Sequence, residues 1–289
     1  MSAMEGTAGD WLLREGKETL RTLCPQALLN WREARYYGRY GEVELHLLQF
    51  MCDPERDAID VGANDGSYIH YMKKYARRVH AYEPIPWLAE ELSRKFRHDI
   101  GTRKVFIHNM ALSQSPGATV LRIPIVDGVM VHGCSSLAPA AVTKYPTVKE
   151  VPVRLVRLDD VYPGDVGFIK IDVEGHEEAA LDGMRQTMVR CQPRMQVEAE
   201  ESIAPGAIGR IAEFFRGLDY SGYFVFQRRL MPIDQFDKQR MQNPANFPDL
   251  KAPLEQRQRF GTYVYNFLFF PSSEPPETLR RIQHHLSTL

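Results

Sequence analysis

Apolar positions along this chain recur with two different periods. From Ala58 onward, short runs rich in β-branched or aromatic residues (AIDV, VHAYE, KVFIHN, GFIKIDV, RMQVEAE) alternate with stretches in which apolar side chains return every three or four residues. Ile69, Met72 and Ala76 form one such stretch, Leu88, Leu92 and Phe96 a second, and Ala180, Leu181, Met184 and Met188 a third. The short runs have the length and composition of strands, and the longer period is that of helices packed by one face. Their alternation predicts an α/β fold, a seven-stranded, mostly parallel sheet with helices on both faces.

Other segments depart from that rhythm. ATVLRIP and VPVRLVRLDDV read as excursion strands at a sheet edge, and residues 125–150, punctuated by Gly128, Gly133, Pro139 and Pro146, read as a long loop. A helix is predicted over about 206–217, and YFVF with TYVYNFLFF forms a final antiparallel pair. Between that pair, residues 228–261 are too long and polar for a hairpin turn and predict a lid. Residues 1–56 predict an N-terminal helical arm, with Val43, Leu47 and Phe50 at helical spacing, and 57–289 the main domain. Leu279, Ile282 and Leu286 close the chain as a helix.

Composition narrows the function more than the fold. With 44% hydrophobic and 25% charged residues, the chain is an ordinary globule able to bury a large core. Lys plus Arg is 36 against 37 for Asp plus Glu, so overall charge gives no reason to expect nucleic-acid binding. No apolar run reaches the length of a membrane span, and the N-terminus lacks the order of a secretory signal, so a cytoplasmic location is expected. Cys24, Cys52, Cys134 and Cys191 show no disulfide or zinc spacing; reduced thiols and no metal are expected.

In an open parallel sheet, ligands bind beyond the carboxyl ends of the strands, and here those positions are polar. After the first strand stands DVGANDGS, where Gly62 and Gly66 allow a sharp turn and close backbone approach, and Asn64 and Asp65 can cap a helix or bond a ligand. Its G-x-N-x-G order, with an acid where a pyrophosphate needs bare amides, disfavours a dinucleotide. Glu83, about 20 residues further on in AYEP, has the spacing of an acid that accepts from ribose hydroxyls. Asp60, Asp65 and Asp172 together favour a cationic ligand over a phosphate-rich one.

DVGANDGS, AYEP, NMALS, the SSL of Ser135–Leu137 and FIKIDVEGHE occur in the order seen in the FkbM family of S-adenosylmethionine-dependent O-methyltransferases, which the chain resembles over about residues 57–201. The resemblance implies a Rossmann-like class I methyltransferase fold and S-adenosyl-L-methionine as cofactor, leaving S-adenosyl-L-homocysteine as product. It implies that Asp60, Gly62, Asn64 and Asp65 hold the methionine part, Glu83 the ribose, and that Asn109 and Ala111 lie by the adenine. Asp172, Glu174 and His176 would then lie near the sulfonium and the incoming hydroxyl of a sugar, glycan or secondary-metabolite acceptor.

A protonated hydroxyl is a poor nucleophile, so a general base is expected. His176 is the first candidate because imidazole titrates near neutrality, Glu174 the second, and Glu198, at the end of RMQVEAE, opens on the same crevice. His132 is a weaker base candidate in the glycine-containing loop, and Asp159 and Asp160 read as a helix cap. The competing reading is an NAD(P)-binding oxidoreductase of Rossmann type, disfavoured by the missing third glycine and by Asp65. A nucleic-acid methyltransferase would need a basic face and an Asn/Asp-Pro-Pro-aromatic element, and Asn243-Pro244 is followed by Ala.

Overall fold

The computed structural model of the chain describes residues 41–246 and 262–289. Twelve strands occur among them. They are β1 Asp57–Val61, β2 Val79–Tyr82, β3 Val105–His108, β4 Ala111–Leu112, β5 Gly117–Val126, β6 Val129–Met130, β7 Val148–Val156, β8 Val166–Ile171, β9 Arg194–Glu198, β10 Tyr220–Phe226, β11 Arg229–Pro232 and β12 Asn266–Pro271. The main sheet runs β11-β10-β12-β9-β8-β1-β2-β3. β3, β2, β1, β8 and β9 pair in parallel, and β12 lies antiparallel between β9 and β10. Seven of these strands are the predicted ones, including the antiparallel pair of β10 and β12. The eighth, β11, folds back on β10 from the start of the predicted lid.

Both faces of the sheet are covered because its central strands are apolar on both sides. On one face Ile59, Val61, Ile169, Ile171, Met195 and Val197 meet the helices Glu177–Asp182, Arg185–Cys191 and Ala207–Arg216. On the other, Ala58, Val79, Ala81, Phe168, Leu268 and Phe270 meet the helix Ser67–Tyr75 and the C-terminal helix Pro276–Thr288. The stripe Ala180, Leu181, Met184, Met188 spans two short helices rather than one, broken at Gly183, whose Cβ would lie 2.0 Å from the Ser113 carbonyl oxygen.

The excursion strands form a second sheet, β4-β7-β5-β6, antiparallel where β5 meets β7 over eight residue pairs. Leu121, Ile123, Val151 and Val153 on it pack against Ile85 and Leu88, which attaches it beside the carboxyl end of β2. The predicted loop 125–150 is therefore partly ordered as β6 and two 3-10 turns, His132–Cys134 and Pro139–Val142. Of the predicted arm, residues 41–56 are described and carry a 3-10 turn, Val43–His46, and a short helix, Leu48–Met51, buried against Ser67–Tyr75. Residues 1–40 and the second part of the predicted lid, 247–261, lie outside the described residues. Among the described residues no helix is long and apolar enough to cross a membrane.

The start of β1 is fastened by a buried acid. Asp57 accepts from Arg77 Nε at 2.8 Å and from the Tyr162 hydroxyl at 2.6 Å. Burial alone would raise its pKa, but these bonds outweigh burial and hold it below the ordinary aspartate value. A depressed folded-state pKa contributes stability above the unfolded value and loses it as pH falls through the folded one. Tyr162→Phe is therefore expected to cost about 1–2 kcal/mol at pH 7 in urea denaturation, with the difference from wild type shrinking as the pH is lowered until Asp57 protonates.

Candidate active site

Two cavities adjoin at the carboxyl ends of β1, β2 and β8. The first, about 620 Å³, is walled by Gly62, Asn64, Glu83, Ala111, Asp172 and His176, among others, with Leu88, Leu121 and Leu137 on its apolar side. The second, about 1380 Å³, is lined by Glu42, Asp172, Glu174, Glu198 and Glu200 with Lys144 and the tyrosines Tyr145, Tyr263 and Tyr265. Asn64, Gly133, Asp172 and Glu174 border both.

Glu83 is shaped to present a carboxylate inward. One oxygen accepts the backbone N–H of Asn64 at 2.9 Å and the other that of Ile85 at 2.8 Å, which fixes its rotamer at the cavity wall. Burial pushes its pKa up to about 7, the two N–H bonds oppose the shift, and Asp60 and Asp172 add to it. Asn109 lies behind: its side-chain amide donates to the Glu83 and Pro84 carbonyls and holds the turn after β2, while Ala111 two residues on reaches the wall. Gly62, at φ +83, approaches so closely that a Cβ would lie 1.9 Å from the Asp172 carbonyl oxygen. That contact keeps the ends of β1 and β8 together beneath both cavities.

Asp60 and Asp65 are not among the residues lining either cavity. Asp65 accepts the Ser67 N–H at the start of the following helix. Asp60 is fully buried, neither carboxylate oxygen has a hydrogen-bond partner, and burial pushes its pKa up to about 7. Glu83 and Asp172 thus share a hollow, with Asp60 outside its lining.

The segment after β8 carries the densest chemistry. Asp172 gives one oxygen to Lys170 Nζ at 2.8 Å. Glu174 sits in left-handed backbone, φ 51, where its carbonyl accepts from the Ser136 hydroxyl and the next residue's N–H donates to Glu177. Carboxylate oxygens of Asp172, Glu174 and Glu198 come within 4.8 Å of one another, a spacing at which one cation could be shared. Such crowding disfavours full ionisation. Glu174 is pushed up to about 9, first by burial and then by Asp172, Glu200 and Glu177, with Lys144 opposing, and Glu198 is raised well above the ordinary range for the same leading reason.

His176 faces the first cavity only. Its Nε2 lies 3.0 Å from the hydroxyl of buried Ser113, and burial lowers its pKa. His132 also borders that cavity, 3.3 Å from Trp87 Nε1, while Asp159 accepts from the N–H groups of Gln186 and Thr187 and caps that helix. Sequence reasoning missed Glu42, Glu200, Tyr145, Tyr263 and Tyr265, because no motif marks them and distant segments bring them together.

Residues 60–221, more than half of the chain, match the methyltransferase FkbM domain. No curated protein sequence matches the chain. Among solved structures, an FkbM methyltransferase from Methylobacillus flagellatus KT is 15% identical with a TM-score of 0.46, covering 75% of this chain and 44% of its own. This chain therefore spans less than half the length of that protein. An rRNA methylase from Streptococcus thermophilus is 10% identical (TM-score 0.42; 79% of this chain, 93% of its own), and an S-adenosylmethionine-dependent O-methyltransferase from Thermotoga maritima is 11% identical (0.39; 80% and 66%).

Gly62→Ala puts a methyl group onto a backbone oxygen at a left-handed position. It is expected to cost about 3 kcal/mol or more, or to prevent folding, which thermal denaturation reads directly.

Proposed function

The chain belongs to the FkbM family of methyltransferases and takes its methyl group from S-adenosylmethionine, and on that premise we propose that it methylates a hydroxyl of a sugar, glycan or secondary-metabolite acceptor. The NAD(P)-linked oxidoreductase alternative has no support beside this family. The observation that carries the reading is the common border of the two cavities, where Asp172 and Glu174 stand between a wall fit for the cofactor and a roomy hollow fit for a hydroxylated acceptor.

The residues present fit the cofactor. Glu83 retains acceptor capacity for a ribose diol after its two backbone bonds, and Gly62 leaves room that a side chain would fill. Asn64 and Gly62 would hold the methionine part, Glu83 the ribose, and Ala111 and Leu112 the adenine, with Asp172 near the sulfonium. When bound, S-adenosylmethionine supplies an electrophilic methyl group on positively charged sulfur.

The acceptor is aligned by the second cavity. Methyl transfer is an in-line displacement with the nucleophilic oxygen about 3 Å from the methyl carbon, so most of the acceleration comes from alignment. Tyrosine faces and carboxylates suit the apolar faces and hydroxyls of a sugar. Five acidic side chains and a single lysine, Lys144, among the lining residues offer a phosphodiester backbone little positive charge to bind, which favours a small or glycan acceptor over RNA.

Glu174 is the base in this reading, because it borders both cavities while His176 borders the first alone. Its carboxylate would take the proton of an acceptor hydroxyl held in the second cavity. In the free protein Glu174 is pushed up to about 9, so it is protonated at neutral pH, and it sheds that proton more readily beside a bound cation. Glu198 and Asp172 orient acceptor hydroxyls.

Glu174→Gln should cut kcat by about 10²–10⁴-fold while leaving S-adenosylhomocysteine affinity within a few fold. His176→Ala should instead raise the cofactor KM with kcat largely kept; the reverse pattern would return the base to His176. In wild type the acid-side limb of kcat/KM for the cofactor should lie near the free-protein value of about 9, and that of kcat at lower pH. A methyl-transfer screen over a panel of glycans, polyols and RNA tests the acceptor class, and transfer to RNA alone would overturn it.

A further inference from the structure

Asp60, Lys170 and Gln196 stand side by side on β1, β8 and β9, paired Cα to Cα across the sheet. Alternation along each strand puts them on the face that carries Ala58 and Phe168, covered by the helix Ser67–Tyr75. Three polar residues in one row of an otherwise apolar, covered sheet are costly unless they are satisfied. Lys170 is 4% exposed; its ammonium lies 2.8 Å from Asp172 and 4.3 Å from the centre of the Tyr68 ring. That ring is held in place through its hydroxyl, which donates to Glu42 at 2.7 Å and accepts from Gln196 at 2.6 Å. Asn266 closes the circuit, accepting from Gln196 and donating to Glu42.

The charges facing Lys170 come from every side: Asp60 on β1, Asp172 after β8, Glu198 on β9 and Glu42 from the N-terminal segment. Burial alone would lower the lysine pKa, but these acids outweigh it and hold the group well above its ordinary range. Lys170 therefore stays an ammonium, sealed below the site. Asp172 gives it one oxygen, and its side chain lies where the two cavities meet.

We infer that Lys170 is a positioning residue for methyl transfer, a sealed counter-ion that fixes the Asp172 carboxylate and sets how strongly the site prefers a cationic ligand to a neutral one. The inference rests on reading the first cavity as the S-adenosylmethionine site. S-adenosylmethionine carries a positive charge on sulfur and S-adenosylhomocysteine does not, so the ratio of their affinities reports the field at that point. Packing defects weaken both ligands together and leave the ratio unchanged. Loss of the ammonium does something different: the acids take up protons at low pH and release them at high pH without a fixed partner, so the ratio depends on pH more steeply than in wild type.

Calorimetric titration of both ligands into wild type, Lys170→Met and Lys170→Arg at pH 6.5 and pH 9 tests this. In Lys170→Met the preference for S-adenosylmethionine should rise between the two pH values about tenfold more than in wild type. Lys170→Arg keeps the charge, so its ratio should stay within about twofold of wild type at both pH values, while kcat falls because the guanidinium cannot reproduce the contact to Asp172. A Lys170→Met ratio that follows wild type across pH overturns the inference. So does a Lys170→Arg enzyme with unchanged kcat, and that arm decides the matter if the methionine variant is not recovered folded. Wild type that binds neither ligand would overturn the cofactor-site reading itself, whereas normal wild-type binding with an unaltered ratio in the variants overturns only the role of Lys170.

Discussion

Carboxylates crowd the carboxyl ends of the central strands, and like charges so close repel one another unless something beneath them carries the opposite sign. Here a lysine on β8 carries it, 2.8 Å from Asp172 and within electrostatic reach of Asp60, Glu42 and Glu198. A buried ammonium alone would be prohibitive, as would the acids alone. Together they form a polar row within one otherwise apolar face of the sheet, and the Tyr68, Gln196 and Asn266 network links that row to the N-terminal segment through Glu42. The positions of the site acids are in this sense a property of the sheet and not only of its loops.

The functional division follows from where the chain leaves each strand. Glu83 and Gly62 come from turns fixed by backbone hydrogen bonds and close contact. The walls of the larger hollow come from the segment around Tyr145, from Pro244 within the predicted lid and from Tyr263 and Tyr265 just beyond it. The second sheet bears on the first cavity through Leu121, with Leu137 from the segment after β6 beside it, so the first cavity has an apolar wall while the second is bordered by acids and tyrosines. Asp172 and Glu174 belong to both because the tight turn after β8 crosses the boundary.

Much of this was legible in the sequence because the signals were local. The strands of the parallel core, the helix stripes and the turn after β1 follow from periodicity and glycine placement, and Glu83 from its spacing. What periodicity could not give was long-range. The loop at 125–150 hides β6, only two residues long, and two 3-10 turns with no periodicity to mark them, and the helix break at Gly183 coincides with the close approach of the Ser113 carbonyl from a distant segment. Asp60 reads from the motif as a ligand-facing acid, yet strand alternation turns it into the sheet. Asn109 likewise serves the turn after β2. Lys170 sits within the most recognisable motif, but apart from Asp172 its partners lie on four other segments.

The outermost strands of the main sheet, β3 and β11, are each only four residues long, and β11 ends in Pro232, which has no N–H to offer. Long, flat borders invite strand addition between molecules and so seed fibrils. Such brief borders give an incoming chain little backbone to zip onto, which guards an otherwise very apolar sheet against self-association as the protein accumulates.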